Sequence, residues 1–316
     1  MTETLVVAPA DAGLRIDRLL ALRWPGGATR GQIQRWIDEG HVLLDGRPTR
    51  SSQKVVAGAR IDVTPPPPLP TEARPDASVR FPVLFEDEWL IVLDKPAGLV
   101  VHPARGHADG TLVNGLLALD GFAIDDPDAD SESFARPGIV HRLDKDTSGV
   151  MVVARHERAR EGLKALFEHH DLERSYLAIT VGDTPSGTIA TLHGRHPTDR
   201  IRFSTHVASG KRAVTHVEAL ERIGGCSLVR CRLETGRTHQ IRVHLTEATH
   251  TPLLGDPLYG RPPRDPFLRD LGNQLARQAL HAAVLGFVHP ITGASLRFET
   301  PPPDDFARAL AALRAR

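Results

Sequence analysis

Apolar residues recur along the chain with two periods. Ile16, Leu19 and Leu20, then Ile33, Trp36 and Ile37, fall at helical spacing and predict two short helices with a shared inner face. Thr29 with Gln32 three residues later has the spacing of a capping box, and Gly40 can end the second helix. Arg30, Gln34 and Arg35 are left towards solvent. Val42 to Leu44, the turn pair Asp45-Gly46 and Pro48, then Ile61 and Val63, read as short strands. Residues 14–64 therefore form the core of a small α+β unit spanning 1–64. The run Thr64-Pro65-Pro66-Pro67-Pro68-Leu69-Pro70 is stiff and poor in donors, and predicts a linker over 65–76.

From residue 77 to 316 the pattern changes. Pro82 to Phe85 and Trp89 to Leu93 predict a hairpin, and Gly110 to Leu119 a helix with Val113, Leu116 and Leu117 inward. Asp120 to Pro137 is acidic and poor in large apolar residues, and reads as a mobile surface loop. Val150 to Ala154 is a buried strand, and Glu157 to His170 a helix with Leu163, Leu166 and Phe167 on one side. Arg174 to Val181 is a strand. Thr188 to Glu234 alternates like antiparallel strands, with turns expected at His193-Gly194, Ser209-Gly210 and Gly224-Gly225. Thr235-Gly236-Arg237-Thr238 opens a helix facing inward through Ile241, Leu245 and Ala248. Pro252 to Gly260 is an irregular loop, Phe287 to Pro290 an edge strand, Leu296 to Phe298 a strand, and Asp304 to Arg314 a final helix. The expected class is α+β, a mainly antiparallel sheet with helices packed on it.

Charge adds a local feature. The 316 residues hold 39 basic and 39 acidic side chains, a net of zero. The balance is uneven, because Arg200 to Arg242 contains nine Lys or Arg against three acids (Glu218, Glu221, Glu234). A local basic face is what phosphate binding needs. No apolar run approaches the ~20 residues of a membrane span. The opening residues lack the basic start and apolar core of a signal peptide. Cys226 and Cys231, five apart in one strand, point to opposite faces, which argues against a mutual disulfide. A reduced, cytoplasmic protein is expected.

The chemistry concentrates in Gly138-Ile139-Val140-His141-Arg142-Leu143-Asp144-Lys145-Asp146-Thr147-Ser148-Gly149. Two carboxylates and three cationic or titratable side chains lie in six residues between apolar segments. Charges so placed tend to be paired, and perturbed charges cluster at functional sites. If extended, the segment puts Asp144 and Asp146 on one face. A surface turn with an internal ion pair explains the same residues equally well. Elsewhere, His239 and His244 lack helical zinc-pair spacing, no CxxC pair exists, and neither a GxSxG elbow nor a phosphate loop is present. Ser148 near His141 is a weak hint of a hydrolytic triad. What remains is a lone carboxylate among cations, suited to act as nucleophile or base.

His141 to Gly149 resembles the catalytic motif of the RluA family of pseudouridine synthases. Three more blocks agree and follow in the family's order: Asp94-Lys95-Pro96-Ala97-Gly98 to His102-Pro103, Arg174-x-Tyr176-x-Ala178, and Leu233-x-Thr235-Gly236-Arg237-Thr238-His239-Gln240-Ile241-Arg242-Val243-His244. Arg174 stands where the motif often has Lys, which keeps the charge. The front unit resembles the S4 RNA-binding domain through Arg15-x-Asp17-Arg18-Leu19-Leu20, Thr29-Arg30-x-Gln32-Ile33 and Ile37-x-x-Gly40-x-Val42-x-x-Asp45-Gly46. That module and Arg195-His196-Pro197-Thr198 are most similar to the RluD-type subgroup, which acts on one hairpin of large-subunit (23S) ribosomal RNA, helix 69. The resemblance implies the pseudouridine synthase fold, with helices and loops around a central cleft. It implies no metal or organic cofactor and a monomer working on ribosomal RNA. Asp144 would detach uracil from C1′, Arg242 would hold Asp144 ionised through a bidentate pair, and Tyr176 would stack on the base. Arg142, Arg30, Arg35, Lys145 and Arg237 would contact RNA. Asp146 would cap the turn, and the histidines would be scaffold. The alternatives are the same chemistry on another ribosomal or transfer RNA site, a non-catalytic S4-type RNA-binding assembly factor, or a sugar hydrolase using Asp146 as second carboxylate.

Overall fold

The predicted strands and helices resolve, in a computed structural model, into two units, Met1–Leu69 and Pro70–Arg316. The structure describes residues 2–24, 28, 30–65, 73–103, 107, 109–122, 137–199 and 201–316.

In the first unit four antiparallel strands, β1 (Glu3–Val6), β2 (Val42–Leu44), β3 (Arg47–Pro48) and β4 (Arg60–Val63), lie in the order β1-β4-β2-β3. Helices α1 (Ile16–Arg23) and α2 (Arg30–Asp38) pack with them. Ile16, Leu19, Leu20, Ile33 and Ile37 share one buried core with Val42, Ile61 and Val63. Asp45 and Gly46 both take positive φ, 49° and 76°, the backbone of a two-residue hairpin turn. Trp36, expected inside, is only partly buried and meets Trp24 edge-on, with centroids 5.9 Å apart.

Arg30 and Gln34 correct the expectation that their face is merely solvated. Both turn back on the Asp17 carboxylate in the first turn of α1, Arg30 at 3.1 and 3.2 Å and Gln34 at 2.7 Å, beside Arg15 at 3.0 and 3.1 Å. A buried carboxylate needs such donors. Burial pushes the Asp17 carboxyl up, but the bonds from Arg15, Gln34 and Arg30 outweigh it and hold it at about 2. Thr29 and the Gln32 and Arg35 side chains lie outside the described residues, as do prolines 66–68 and 70 of the expected linker. Nearer the end of that linker, the Arg74 carbonyl and the Asp76 N–H are bound by Asn114 of the second unit.

The second unit is built on a ten-stranded sheet among the described residues. Its strands are β5 (Val83–Glu86), β6 (Leu90–Lys95), β7 (Ser148–Ala154), β8 (Leu172–Val181), β9 (Gly187–Arg195), β10 (Phe203–Ser204), β11 (Lys211–Ile223), β12 (Cys226–Leu233), β13 (Leu280–Val288) and β14 (Ser295–Glu299). The order is β10-β9-β11-β12-β8-β13-β7-β6-β5, with β14 also on β13. Only the short β7–β13 contact is parallel among the described pairs. Among the described residues the unit also has helices α3 (Leu112–Leu117), α4 (Glu157–His169), α5 (Gln240–Glu247), α6 (Pro266–Leu275) and α7 (Asp304–Arg314).

Several expectations change. The run expected to be an edge strand is the end of β13, which is interior and pairs with β7, β8 and β14. Its residues 280–287 are all buried, the signature of a strand covered on both faces. His193-Gly194 is no turn: both residues sit in β9, paired to β11 and β10 respectively. Ala248 is exposed at the end of α5, because that helix buries Ile241 to Leu245 almost all round. Helix α6 was not anticipated. Asp265 caps it through the Phe267 N–H at 3.0 Å, and Pro266 opens it. The expected mobile loop falls mostly on 123–136, outside the described residues. Cys226 and Cys231 are free and buried in separate apolar clusters, as their opposite faces require.

Gly149 marks the seam. Its φ is +119°, and a Cβ there would stand 2.2 Å from the Ala282 carbonyl oxygen of β13. Gly149→Ala must therefore push β7 and β13 apart as well as strain the backbone. We expect a loss of about 2–4 kcal/mol, read as a lower urea midpoint than wild type. An unchanged midpoint would refute the close approach.

Candidate active site

The charged stretch runs into β7 but is not extended. Thr147 N–H donates to the Asp144 carbonyl at 3.0 Å, closing a turn over 144–147. Asp144 and Asp146 consequently do not share a face. Asp144 lines a cavity of about 550 Å³ whose lining does not include Asp146. The Asp144 carbonyl thus closes the turn, the part the sequence reading gave to the Asp146 side chain. Asp146 offers its own carbonyl to Arg277 Nη1 at 3.1 Å.

The turn is held from beneath by Lys95, at the end of β6. Its buried ammonium donates to the carbonyls of Pro96 at 2.8 Å, Leu99 at 2.9 Å and Lys145 at 2.9 Å. Burial pushes Lys95 down to about 7, opposed by Asp146 and Asp144. On the far side Gln278 donates to the Thr147 hydroxyl at 3.2 Å. Ser148 bonds His281 Nδ1 at 3.0 Å, so it has no part with His141 in a triad.

Helix α5 brings Arg242 to the same place. Its Nη1 donates to Asp144 Oδ2 at 3.1 Å. The expected two-pronged pairing with Asp144 is corrected here. The fork, Nε and Nη2, goes to Asp256, at 2.8 Å each. Asp256 also accepts the N–H groups of Leu258 and Tyr259 at 2.9 and 3.0 Å. Its side chain is 1 % exposed, whereas that of Asp144 is 18 % exposed and open to the cavity. Burial lowers the basicity of Arg242, but the Asp256 bond and charge, then Asp144, raise it above the ordinary arginine value.

Tyr176 of β8 stands in the same cavity wall. Burial pushes its phenol up, with Arg174 opposing and Asp144 adding, so it carries its proton at neutral pH. His239 opens α5 with φ +59°, its Nε2 3.9 Å from Asp144 Oδ1. The Tyr259 hydroxyl accepts the Phe203 N–H at 2.8 Å and lies 2.8 Å from His239 Nδ1. Burial, then Arg242, lowers His239, against Asp144.

The remaining candidates divide. Arg142 and Arg237 line the cavity, as does buried Arg174, whose Nη2 donates to the Glu234 carbonyl at 2.8 Å. Lys145 is exposed outside that lining, its Nζ 3.4 Å from His107 Nε2. Arg30 belongs to the first unit, and the Arg35 side chain lies outside the described residues. The basic count over 200–242 overstates a basic face. Arg212 pairs with Glu234, Arg230 with Glu218 and Arg222 with Asp183, at 3.3, 3.0 and 3.9 Å. Among the described residues no three His, Cys, Asp or Glu side chains converge to hold a metal ion.

Asp256 and Tyr259 are site residues that sequence reasoning passed over. The available signal was a carboxylate set in Leu253-Leu254-Gly255-Asp256, because an acid in an apolar run needs a cation.

Comparison with known proteins agrees with this geometry. Residues 89–247 match the family described as RNA pseudouridylate synthase, and residues 14–61 match the S4 domain. An uncharacterised RNA pseudouridine synthase of Chloroflexus aurantiacus is 46% identical, covering 99% of this chain and 94% of its own. A ribosomal large subunit pseudouridine synthase D of Xanthomonas campestris is 42% identical over 98% and 92%. The solved structure of human RNA pseudouridylate synthase domain containing 4 is 26% identical and superposes with a TM-score of 0.55, over 74% of this chain and 93% of its own. The chain belongs to the RluA family of RNA pseudouridine synthases, isomerases that convert uridine in RNA to pseudouridine, and it carries an S4 domain.

Two histidines, half-buried His141 and buried His244, set an acid limit on this site. His141 accepts the Val152 N–H at 3.1 Å and stacks on Phe167, and burial, then Arg174, holds it at about 3. His244, between Thr215 and Thr191, is held at about 4 by burial and by His193. Unfolded histidines take up protons below about 6.5, and these two do so in the folded chain only near 3 and 4. Stability is therefore lost as pH falls through that window. Melts at about pH 7 and about pH 4.5 should show a smaller drop in Tm for His141→Gln than for wild type. Equal drops would contradict a His141 that stays neutral in the fold.

Proposed function

We propose that the protein isomerises uridines of large-subunit ribosomal RNA in the cytoplasm, with helix 69 of 23S RNA as the target hairpin. The relatives named for the large ribosomal subunit support the substrate, and the S4 module with Arg195-His196-Pro197-Thr198 supports the hairpin. The observation that carries the chemistry is one half-open carboxylate, Asp144, tethered by a single bond to a buried arginine in a cavity that Tyr176 also lines.

The target uridine leaves its helix to reach that cavity, at a cost of a few kcal/mol. Asp144 acts as the nucleophile or base that detaches uracil from C1′. The base turns, C5 bonds to C1′, the C5 proton departs and N1 takes up a proton, so atoms balance without a redox step. Tyr176 stacks on the uracil and holds it near Asp144. Arg242 keeps Asp144 ionised and aimed. Arg142 and Arg237 contact the RNA from the cavity rim, Lys145 from beside it, and Arg30 and Arg35 from the S4 unit. A hydrolase reading needs a second working carboxylate. Asp146 is outside the cavity lining and Asp256 is locked on Arg242, which leaves neither free to serve.

Asp144→Asn should lower the rate of pseudouridine formation on the order of 10³-fold or more. The readout is carbodiimide modification followed by reverse transcription of 23S RNA. Equal modification by this variant, or none by wild type, would defeat the proposal. Deleting residues 1–70 should weaken RNA binding by about tenfold or more and leave the catalytic unit folded, because each unit has its own core. A truncated protein that binds and modifies RNA like the intact one would remove the S4 unit's assigned role.

A further inference from the structure

We infer that Arg174 is a substrate-binding residue: its guanidinium, set in the cavity wall beside Tyr176, takes one of the two backbone phosphates that flank the target uridine. The inference rests on the reading of this cavity as the uridine site.

Among the described residues three arginines are buried, Arg174, Arg242 and Arg277. Arg242 meets Asp144 and Asp256, and Arg277 meets Asp305. Arg174, 8 % exposed, has no carboxylate partner among the described residues. Its Nη2 donates to the Glu234 carbonyl at 2.8 Å, and its guanidinium carbon lies 5.5 Å from the centre of the Phe167 ring. Its Nε is buried with no hydrogen-bond partner among the described residues. A carbonyl dipole and a ring face offset part of a positive charge, whereas a buried cation is normally held by an anion. Burial lowers the basicity of Arg174, with Tyr176 opposing and Arg237 adding.

Position selects the anion. Arg174 and Tyr176 are two apart on β8 and share a face, and both line the cavity that holds Asp144. A uracil stacked on Tyr176 brings its own ribose, and with it a phosphate on either side. Besides Asp144 the described lining has one acid, Glu168, against the cations Arg142, Lys164 and Arg237, a balance that admits a polyanion. Gly236 keeps room for the contact. Its backbone is not in the left-handed region, so no turn requires a glycine there. A Cβ at Gly236 would, however, stand 2.8 Å from Arg174 Nη1. The Glu234 bond uses Nη2, which leaves Nη1, beside this lining glycine, for the phosphate.

Synthetic RNAs spanning the modified uridine provide the test. Each carries one uncharged methylphosphonate linkage, protected by a 2′-O-methyl group on the preceding nucleotide, and is compared with an RNA bearing the methyl group alone. For wild type, removing the charge at one flanking phosphate should weaken binding about 10–100-fold. Arg174→Met should bind the all-phosphate RNA more weakly by a similar factor, and lose no more than about threefold further at that linkage. The two proteins should respond alike at every other linkage. The log–log salt slope of Arg174→Met should be shallower by about 0.7. Arg174→Lys keeps a point charge and should restore part of the linkage-specific effect. Gly236→Ala leaves Arg174 in the chain but displaces Nη1, and should lose that effect too, with thermal melts reporting folding. Wild-type affinity for both Arg174→Met and Gly236→Ala, no flanking linkage at which wild type is weakened, or effects that multiply there would overturn the inference. Failure of both variants to fold would make Arg174 a folding determinant and overturn it as well. Asp144→Asn run in parallel separates the two assignments. If that variant modifies RNA like wild type, the reading of the cavity falls. If it is inactive while the Arg174 and Gly236 variants bind like wild type, only the present inference falls.

Discussion

Arg242 is the point on which the catalytic unit depends. Its side chain is 6 % exposed, and a buried guanidinium is tolerated only where carboxylates and hydrogen bonds replace water. Those partners come from residues 98 and 14 positions away in sequence. Neutralising this one charge therefore draws three segments together: the turn before β7, the first turn of α5 and the loop ahead of α6. The reactive geometry and the closure of the fold are the same set of contacts.

The reactive turn is rigid because backbone groups beneath it are saturated. Lys95 fills three carbonyls from two loops, and a buried carbonyl left unpaired costs about 1–3 kcal/mol. Arg277, Gln278 and His281, all next to or within β13, hold Asp146, Thr147 and Ser148 in turn. The short parallel contact of β13 with β7 lets one strand support three successive residues of the motif. Gly149 permits that contact, which explains a glycine at the end of the charged run. The sheet is thus a jig for the Asp144 carboxylate, and the cavity forms where its loops diverge.

Local periodicity carried much of this into the sequence. Helix α7 and the S4 core follow from apolar spacing, and the opposite burial of Cys226 and Cys231 from strand geometry. What failed was non-local. The interior place of β13 depends on β7 and β14 covering its sides, which no pattern within 280–288 states. Gly194 resembled a turn because glycine usually marks one, but here a Cβ would stand 3.0 Å from the Ser209 carbonyl, and glycine serves close packing. Helix α6 was hidden by the Pro-rich approach to it, although Asp265-Pro266 is a good start signal. The four motif blocks named Asp144, Tyr176 and Arg242, and the cavity brings those three together. They left out Asp256, because an ion pair between distant segments has no period.

Three aspartates then meet around one site with near-identical side-chain chemistry and different fates. Asp256 is sealed and satisfied by four donors, so it is not available to react. Asp146 is turned away, and its carbonyl is the part that is used. Asp144 keeps one bond to Arg242 and an open face, the state in which a carboxylate retains charge to give to a substrate. Protons and cations are supplied unequally to three copies of one functional group, and that inequality distinguishes them. It is set by how far each side chain is buried and by how many N–H groups reach it, quantities that belong to the fold and not to the residue.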